Sequence, residues 1–564
     1  MSVTVYKALK HRILAGKKLY LNNAWKTIPA NAKMWLNGAW HKIGSGAAEN
    51  AVNIPTDPEQ SVTHENGTEP SSGTIWYITP EGAGNMDGSS WANAVSGSMI
   101  HVILLSCASG DSVYFAEGDY TIDRTITLPA GVNLYGGFDA DTPAWSTRNG
   151  FTKQTVFTGN NAFGWMDGSS ATAGQKVDGF VIKNYSSTIT GSNATLRNSI
   201  VNLGTASLAN AYNSVFISTA ATVSNATQCN FFYGTSCSIG TSANHVNVYG
   251  TSEQKVQTYL NNAQYCTLSN CTLLNNTAIF LGTTTNCTAI NCLCDGASLF
   301  GGITTNCTAV GCSNGTIFVG TANTTIDGCA AINCSAGTGS YGIFQHSATN
   351  CTAVNCSTIN QHGIFRGTAS SCKAINCSGI SNNTTSALIF KDSAINCIAV
   401  NCSVNGGNSS CIFGHAAKNC AAVNCTGNIF KMINSSGYLL KNNLSWNNTG
   451  TEFSSYSSLT TCAGSTYNAA LALTLGTDNS IARFTNTGYY PAQGVQDVGD
   501  CPNPITDPDG YAAYLAAFGD WHPLSNSFLV GRGTADSNVT TDADGVTRPD
   551  PPTIGAYEPV PVNA

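Results

Sequence analysis

Charge is what this sequence most lacks. Asp, Glu, Lys and Arg make up only 10% of its 564 residues. A solvated disordered chain needs more charge than that to stay open. Long helices are excluded for a different reason, because 57 glycines and abundant Asn, Ser and Thr favour turns. No apolar run approaches the roughly 18 residues of a membrane span, so no membrane insertion is expected. The opening MSVTVYKALKHRILAGKK has no apolar run of signal-peptide length. Export by the general secretory route is therefore not expected, and cysteines in such a product stay reduced. Carboxylates are scarcest in the middle. From 254 to 451 the acidic residues are Asp295, Asp327 and Asp392, scattered over different repeats. Glycan cleavage uses two placed carboxylates, or several around calcium. A calcium-dependent lyase site is thus not expected in the central region, and no catalytic residue, metal site or cofactor is assigned. Sites between subunits or in the end regions stay open.

What is present is periodic. Hydrophobic residues reach 42%, enough for a core that is long and thin. One phrase recurs: Cys, three residues, Asn or Gly, Cys. It runs from Cys266–Cys271 through Cys287–Cys292, Cys307–Cys312, Cys329–Cys334, Cys351–Cys356, Cys372–Cys377 and Cys397–Cys402 to Cys420–Cys425. Successive first cysteines are 21, 20, 22, 22, 21, 25 and 23 residues apart. A second mark follows in phase, an aliphatic residue and then Phe, at Phe280, Phe300, Phe318, Phe344, Phe365, Phe390, Phe413 and Phe430. Two marks in register predict an all-β fold, a single-stranded parallel β-helix of about 21-residue coils. Stacked coils lie about 4.8 Å apart, so each repeated position becomes a ladder. Inward Cys and Ala fill a narrow interior, and Phe stacks on Phe. The Asn before the second Cys turns the chain in a left-handed conformation that Asn tolerates, and its amide can bond the next Asn. Gly311 takes that place once. The cysteine spacing also admits a metal reading, but zinc knuckles are tighter and use His partners. Packed reduced thiols are expected, with disulfides as the remaining alternative.

The ends are marked too. Residues 47–73 have few large apolar side chains and read as a linker. Met99 to Cys107 (MIHVILLSC) reads as a short helix plugging the first coil, followed by a strand at Val113-Tyr114-Phe115. The stretches WYITPEGAGNMDGSSWANA (76–94) and SGDSVYFAEGDYTIDRTITLPAGVNLYGGFD (109–139) resemble the N-terminal portion of bacterial right-handed parallel β-helix repeat proteins of the pectate-lyase-like superfamily. HPLSNSFLVGRG (522–533) and DADGVTRPDPPTIGAYE (542–558) are similar to that family's closing phrase. The resemblance covers roughly 75–560 and implies the fold. It does not fix function, because this scaffold carries lyases, hydrolases, adhesins and phage spikes. Asp542 and Asp544 are expected to shape a turn rather than hold calcium. The expected layout is 1–46 N-terminal module, 47–73 linker, 74–140 cap and first coils, 141–450 β-helix and 451–564 C-terminal coils and cap.

The first module repeats within itself. Lys18–Ile28 (KLYLNNAWKTI) matches Lys33–Ile43 (KMWLNGAWHKI) at an offset of 15, and each reads as a β-hairpin. Up to Ile43 there are eight Lys or Arg and no acid, leaving 16 basic against 31 acidic residues in the rest of the chain. That asymmetry points to an acidic partner. No nucleic-acid-binding motif accompanies it, so a docking site on another protein is expected and nucleic acid is not. The pattern resembles short "LNGAW" modules of phage structural proteins, which implies attachment through Trp25, Trp35, Trp40, Lys18 and Lys33. A small aromatic carbohydrate-binding or capping module is the alternative.

One outward stripe is chemically richer than the rest. Positions just after the Phe ladder change from Leu281, Gly301 and Val319 to Gln345-His346, Arg366, Lys391-Asp392, Gly414-His415 and Lys431. His346, Arg366, Lys391, Asp392, His415 and Lys431 are the candidate glycan-binding residues, set against a plain solvated face or a subunit contact. Together these features suggest a bacteriophage fibre or spike subunit, located in the virion. It would attach to another virion protein by its N-terminus, form a homotrimer and bind a host surface glycan. A secreted β-helix adhesin or a polysaccharide lyase or hydrolase is the alternative.

Overall fold

The computed structural model describes residues 58–190, 193–273, 278–320, 325–337, 341–359, 363–380, 388–406, 410–432, 440–446, 448–450, 501–505, 507–517, 522, 523, 525 and 529–559, and the backbone of a few strands outside those ranges. It divides into two units, Met1–Asn53 and Ile54–Ala564. In the first unit, strand Lys18–Leu21 pairs antiparallel with Ala24–Thr27, and Lys33–Leu36 with Ala39–Lys42. Tyr20 stands opposite Trp25, and Trp35 opposite Trp40. The side chains of the attachment candidates Trp25, Trp35, Trp40, Lys18 and Lys33 lie outside the described residues.

The second unit is a right-handed parallel β-solenoid of about 16 turns with almost no helix. One coil shows how the sequence makes the rest. Strand Ala348–Thr349 ends at Asn350, which takes φ 53. Cys351 then turns inward and strand Thr352–Val354 crosses to Asn355 at φ 51. Cys356 turns inward again, and Ser357–Ile359 leads toward the Ile-Phe pair of the next wall. Each coil thus has two left-handed corners, one before each cysteine. The first is another Asn ladder, carried by Asn286, Asn306, Asn350, Asn396, Asn419 and Asn442.

The interior is built from the expected rows. Cys287, Cys307, Cys351 and Cys372 and the alanines Ala289, Ala309, Ala353 and Ala374 are all buried. The Phe ladder is continuous from Phe280 to Phe430, with ring centroids 4.6 to 5.0 Å apart and planes within 8° of parallel. Such pairs add about 0.5–1.5 kcal/mol each beyond the area they bury. Among the described residues every cysteine is a free thiol, and all but Cys107 are buried. Each ladder thiol donates to a carbonyl two residues back, as Cys287 does to Thr285 at 3.3 Å. The next coil's sulfur accepts from the preceding cysteine's backbone N–H, as Cys287 does from Cys266 at 3.3 Å.

Coil size is not uniform. Between 195 and 230 the coils stack every 15 residues, Leu196 on Ala211 on Ala226. The interval widens to 17 at Asn230–Asn247 and reaches 21 at Cys266–Cys287. The short coils lack the long Phe ladder; their interior is filled by Ala, Val and Leu and by one stacked pair, Phe216 on Phe231 at 4.5 Å.

Helix α1 (Ile100–Ser106) closes the first coil, with Ile100 and Leu104 buried in the solenoid core. The latter part of the stretch read above as a linker lies on the coils instead. Asn230 donates to Ser61 O (3.2 Å), Asn213 to Thr63 O (2.6 Å) and Asn198 to Glu65 O (2.9 Å). Its side chains read as a linker, but its backbone carbonyls are what those three amides bond. The C-terminal segment also lies along the flank. Asn333 donates to Cys501 O, Asn376 to Tyr514 Oη of helix α2 (Pro508–Ala517), Asn396 to Thr541 O and Asn442 to Thr534 O. Asp542 shapes the turn as expected, accepting from the N–H groups of Asp544, Val546 and Glu558.

Candidate functional site

The Phe ladder positions the stripe. Its rings point inward and fix the register, so the next residue of each coil faces out in a column. The backbone confirms it: Gln345 donates to Phe318 O, Arg366 to Phe344 O, Lys391 to Phe365 O and Gly414 to Phe390 O, all at 2.8 to 2.9 Å. Arg366 and Lys391 are therefore one strand spacing apart, about 4.8 Å at the backbone. Both are half-buried. Among the described residues neither forms a salt bridge. Arg366 lies instead over the exposed ring of Tyr341, 4.6 Å from its centroid. Burial, and then the Arg366 charge, pull the Lys391 ammonium below the ordinary lysine value.

One residue further on, Asp392 and His415 come together, Oδ1 to Nδ1 at 3.7 Å. Burial lowers the His415 pKa, and Asp392 opposes that shift. His346 packs beside Gly367 of the next coil, at the edge of the same surface. Lys431 follows Gly414 in the column, because Phe413 pairs with Phe430. The structure therefore brings all six predicted residues onto one face. They form two chemical parts: an Arg366–Lys391 cationic pair that meets no carboxylate in a salt bridge, and an Asp392–His415 pair. No metal-binding group of three or more His, Cys, Asp or Glu occurs among the described residues.

Two features escape the sequence reading. Arg148 and Asp178 form a buried ion pair at 3.0 Å beneath the 61–67 segment, with Asn198 also donating to Asp178. His64 of that segment accepts from the Gly150 N–H at 3.1 Å. The other is at the first left-handed corner, where Gln228, His245 and Tyr265 replace the usual Asn. A ladder position filled by an aromatic is a signal the sequence carries, once the register is known.

No protein-family model matches this sequence, and no curated protein matches it. Among solved structures it is similar to pectate lyase Pel9A, at 14% identity over 89% of this chain and 100% of that one, with a TM-score of 0.16. It is similar to the catalytic domain of a GH87 α-1,3-glucanase in complex with nigerose, at 11% identity over 67% and 64%, with a TM-score of 0.20. The A-module of the mannuronan C-5 epimerase AlgE6 of Azotobacter vinelandii matches at 11% identity over 63% and 90%, with a TM-score of 0.16. These neighbours are β-helix carbohydrate-active enzymes. At such identities and scores they assign no activity to this chain.

Proposed function

We propose that this chain is a binding subunit, a virion fibre or spike that holds an acidic glycan of a host surface along its solenoid. The observation that supports it is the Arg366–Lys391 pair, two half-buried cations stacked one coil apart with no salt bridge between either of them and an acidic side chain among the described residues. Each has given up part of its hydration, and a carboxylate or sulfate would restore the lost interaction, bidentately at Arg366. The coil spacing is close to the length of a sugar residue, about 5 Å, so successive sugars meet successive side chains. The basic hairpin module supports the attachment half of the reading, since its uncompensated charge suits an acidic protein surface. Parallel shafts in a homotrimer would add avidity.

Deleting residues 1–46 separates the two halves. The truncated protein is expected to keep its glycan affinity and to be absent from purified particles. Particles that still carry it would place attachment elsewhere, and the reading of the first module would fail.

A further inference from the structure

We propose a second glycan site, for a neutral sugar chain, on the stacked rings of His245 and Tyr265. These rings lie 4.8 Å apart, at 27° to one another, on successive coils of the first corner. Both are exposed, Tyr265 by 47% of its surface. Their backbones take φ 52 and 53, the left-handed conformation that Asn or Gly adopts at this corner in most other coils. A bulky ring pays for that conformation in backbone energy, and exposure returns nothing to the core. What the rings give the fold is their mutual stack and one contact of His245 with Asn244 Oδ1 at 2.7 Å, both at the surface.

Their surroundings define the ligand. By register, Asn244 and Gln264 flank the rings on the strand before the corner, with Thr285 next in that column. Asn247, Thr267 and Thr288 flank them on the strand after it. Amides and hydroxyls thus border an aromatic surface on both sides, and none of these flanking positions is Asp, Glu, Lys or Arg. A sugar ring has the matching form: an apolar C–H face to lie on the rings and a rim of hydroxyls to meet the amides. The absence of fixed charge selects a neutral sugar over a uronate.

Among the described residues the site is also left open where its neighbours are not. The 58–67 segment covers this flank as far as Asn230, through Ser61. The described C-terminal segment takes up the first corner again at Asn396. Among the described residues neither segment hydrogen-bonds to His245 or Tyr265. The Arg366–Lys391 column lies about five coils away, roughly 24 Å along the axis, so the two sites stand or fall separately.

The test uses the full chain and a panel of neutral hexasaccharides with cellohexaose, laminarihexaose and chitohexaose as probes, followed by calorimetry. Wild type is expected to bind at least one, with an affinity that 0.5 M salt does not weaken. His245→Asn with Tyr265→Asn restores the residue this corner prefers, so the variant is expected to keep or raise its melting temperature while affinity falls at least 10-fold. Tyr265→Phe keeps the ring and should stay within about 2-fold of wild type. Arg366→Ala with Lys391→Ala should leave this binding unchanged. Wild type that binds none of the probes, or a double Asn variant that binds as wild type does, overturns the proposal.

Discussion

Asn376 joins two coils and the C-terminal segment at one point. Its Nδ2 donates to Asn355 Oδ1 and to Tyr514 Oη, each at 3.1 Å, and its Oδ1 accepts from Asn401 at 2.9 Å. Its backbone is left-handed, at φ 51. Asn376→Ala loses these bonds, and without the amide the same Cβ tolerates the left-handed conformation less well than Asn does. With about 1 kcal/mol for each hydrogen bond, the expected loss is about 2–4 kcal/mol by urea unfolding. Asn376→Gly keeps the backbone free and should lose less. An Ala variant more stable than the Gly variant would contradict the corner assignment.

The thiol ladder predicts chemical silence. Burial pushes the Cys229 thiol up to about 12, and Cys397 also rises through burial. A thiolate is the reactive form. Burial also keeps a thiol reagent from reaching the ladder, so native protein should react slowly except at the half-buried Cys107 and at Cys462, which lies outside the described residues. Denatured protein should titrate all 23. Extensive loss of titratable thiol in native material under reducing-free isolation would mean disulfides and would refute the ladder.

Much of this fold was legible because two marks repeat in phase. Cys and Phe positions carry the register from 266 onward, and the structure follows them residue for residue. The 15-residue coils before them carry no paired cysteines and only one stacked Phe pair, Phe216 on Phe231. The rest of their interior is Leu196, Ala211 and Val223, which any small core would use, so the shorter period does not stand out in the sequence. The 58–67 segment was read as linker for a related reason. Its binding to the coils is through its own carbonyls, which every sequence has, and through Asn198, Asn213 and Asn230 far along the chain. The six-residue stripe was legible because it inherits its phase from Phe. The Arg148–Asp178 pair was not, since nothing local joins positions on different coils.

His64 predicts a pH response of the 58–67 segment. Burial, then the Arg148 charge, hold its imidazole down at about 4, against the contrary effect of Asp178. The folded state thus favours neutral His64, whose Nδ1 accepts from Gly150 N–H. The unfolded pKa is about 6.5. The unfolded or released state binds the extra proton between these values, so this contribution is full above about pH 6.5 and is lost as pH falls toward 4. Amide protection over 58–67, corrected for the pH dependence of intrinsic exchange, should fall as pH drops across that window, and His64→Asn should flatten the dependence. Equal protection in wild type at pH 7 and pH 4.5 would refute it.

Arg366 and Lys391 are proposed to hold an acidic glycan. A charge-assisted hydrogen bond contributes about 1.5–3 kcal/mol, so losing both cations should weaken binding at least about 10-fold. Both are half-buried and Arg366 lies on the Tyr341 ring, so removing them should cost about 1 kcal/mol of stability or less. The measurement is calorimetric titration of wild type and Arg366→Ala with Lys391→Ala against uronate and sulfated oligosaccharides, at low and high salt, with melting temperature alongside. The prediction is salt-sensitive binding by wild type, a loss of at least 10-fold in the double variant, and similar melting temperatures. Equal affinity in the two proteins, or a collapse of stability in the variant, would contradict it.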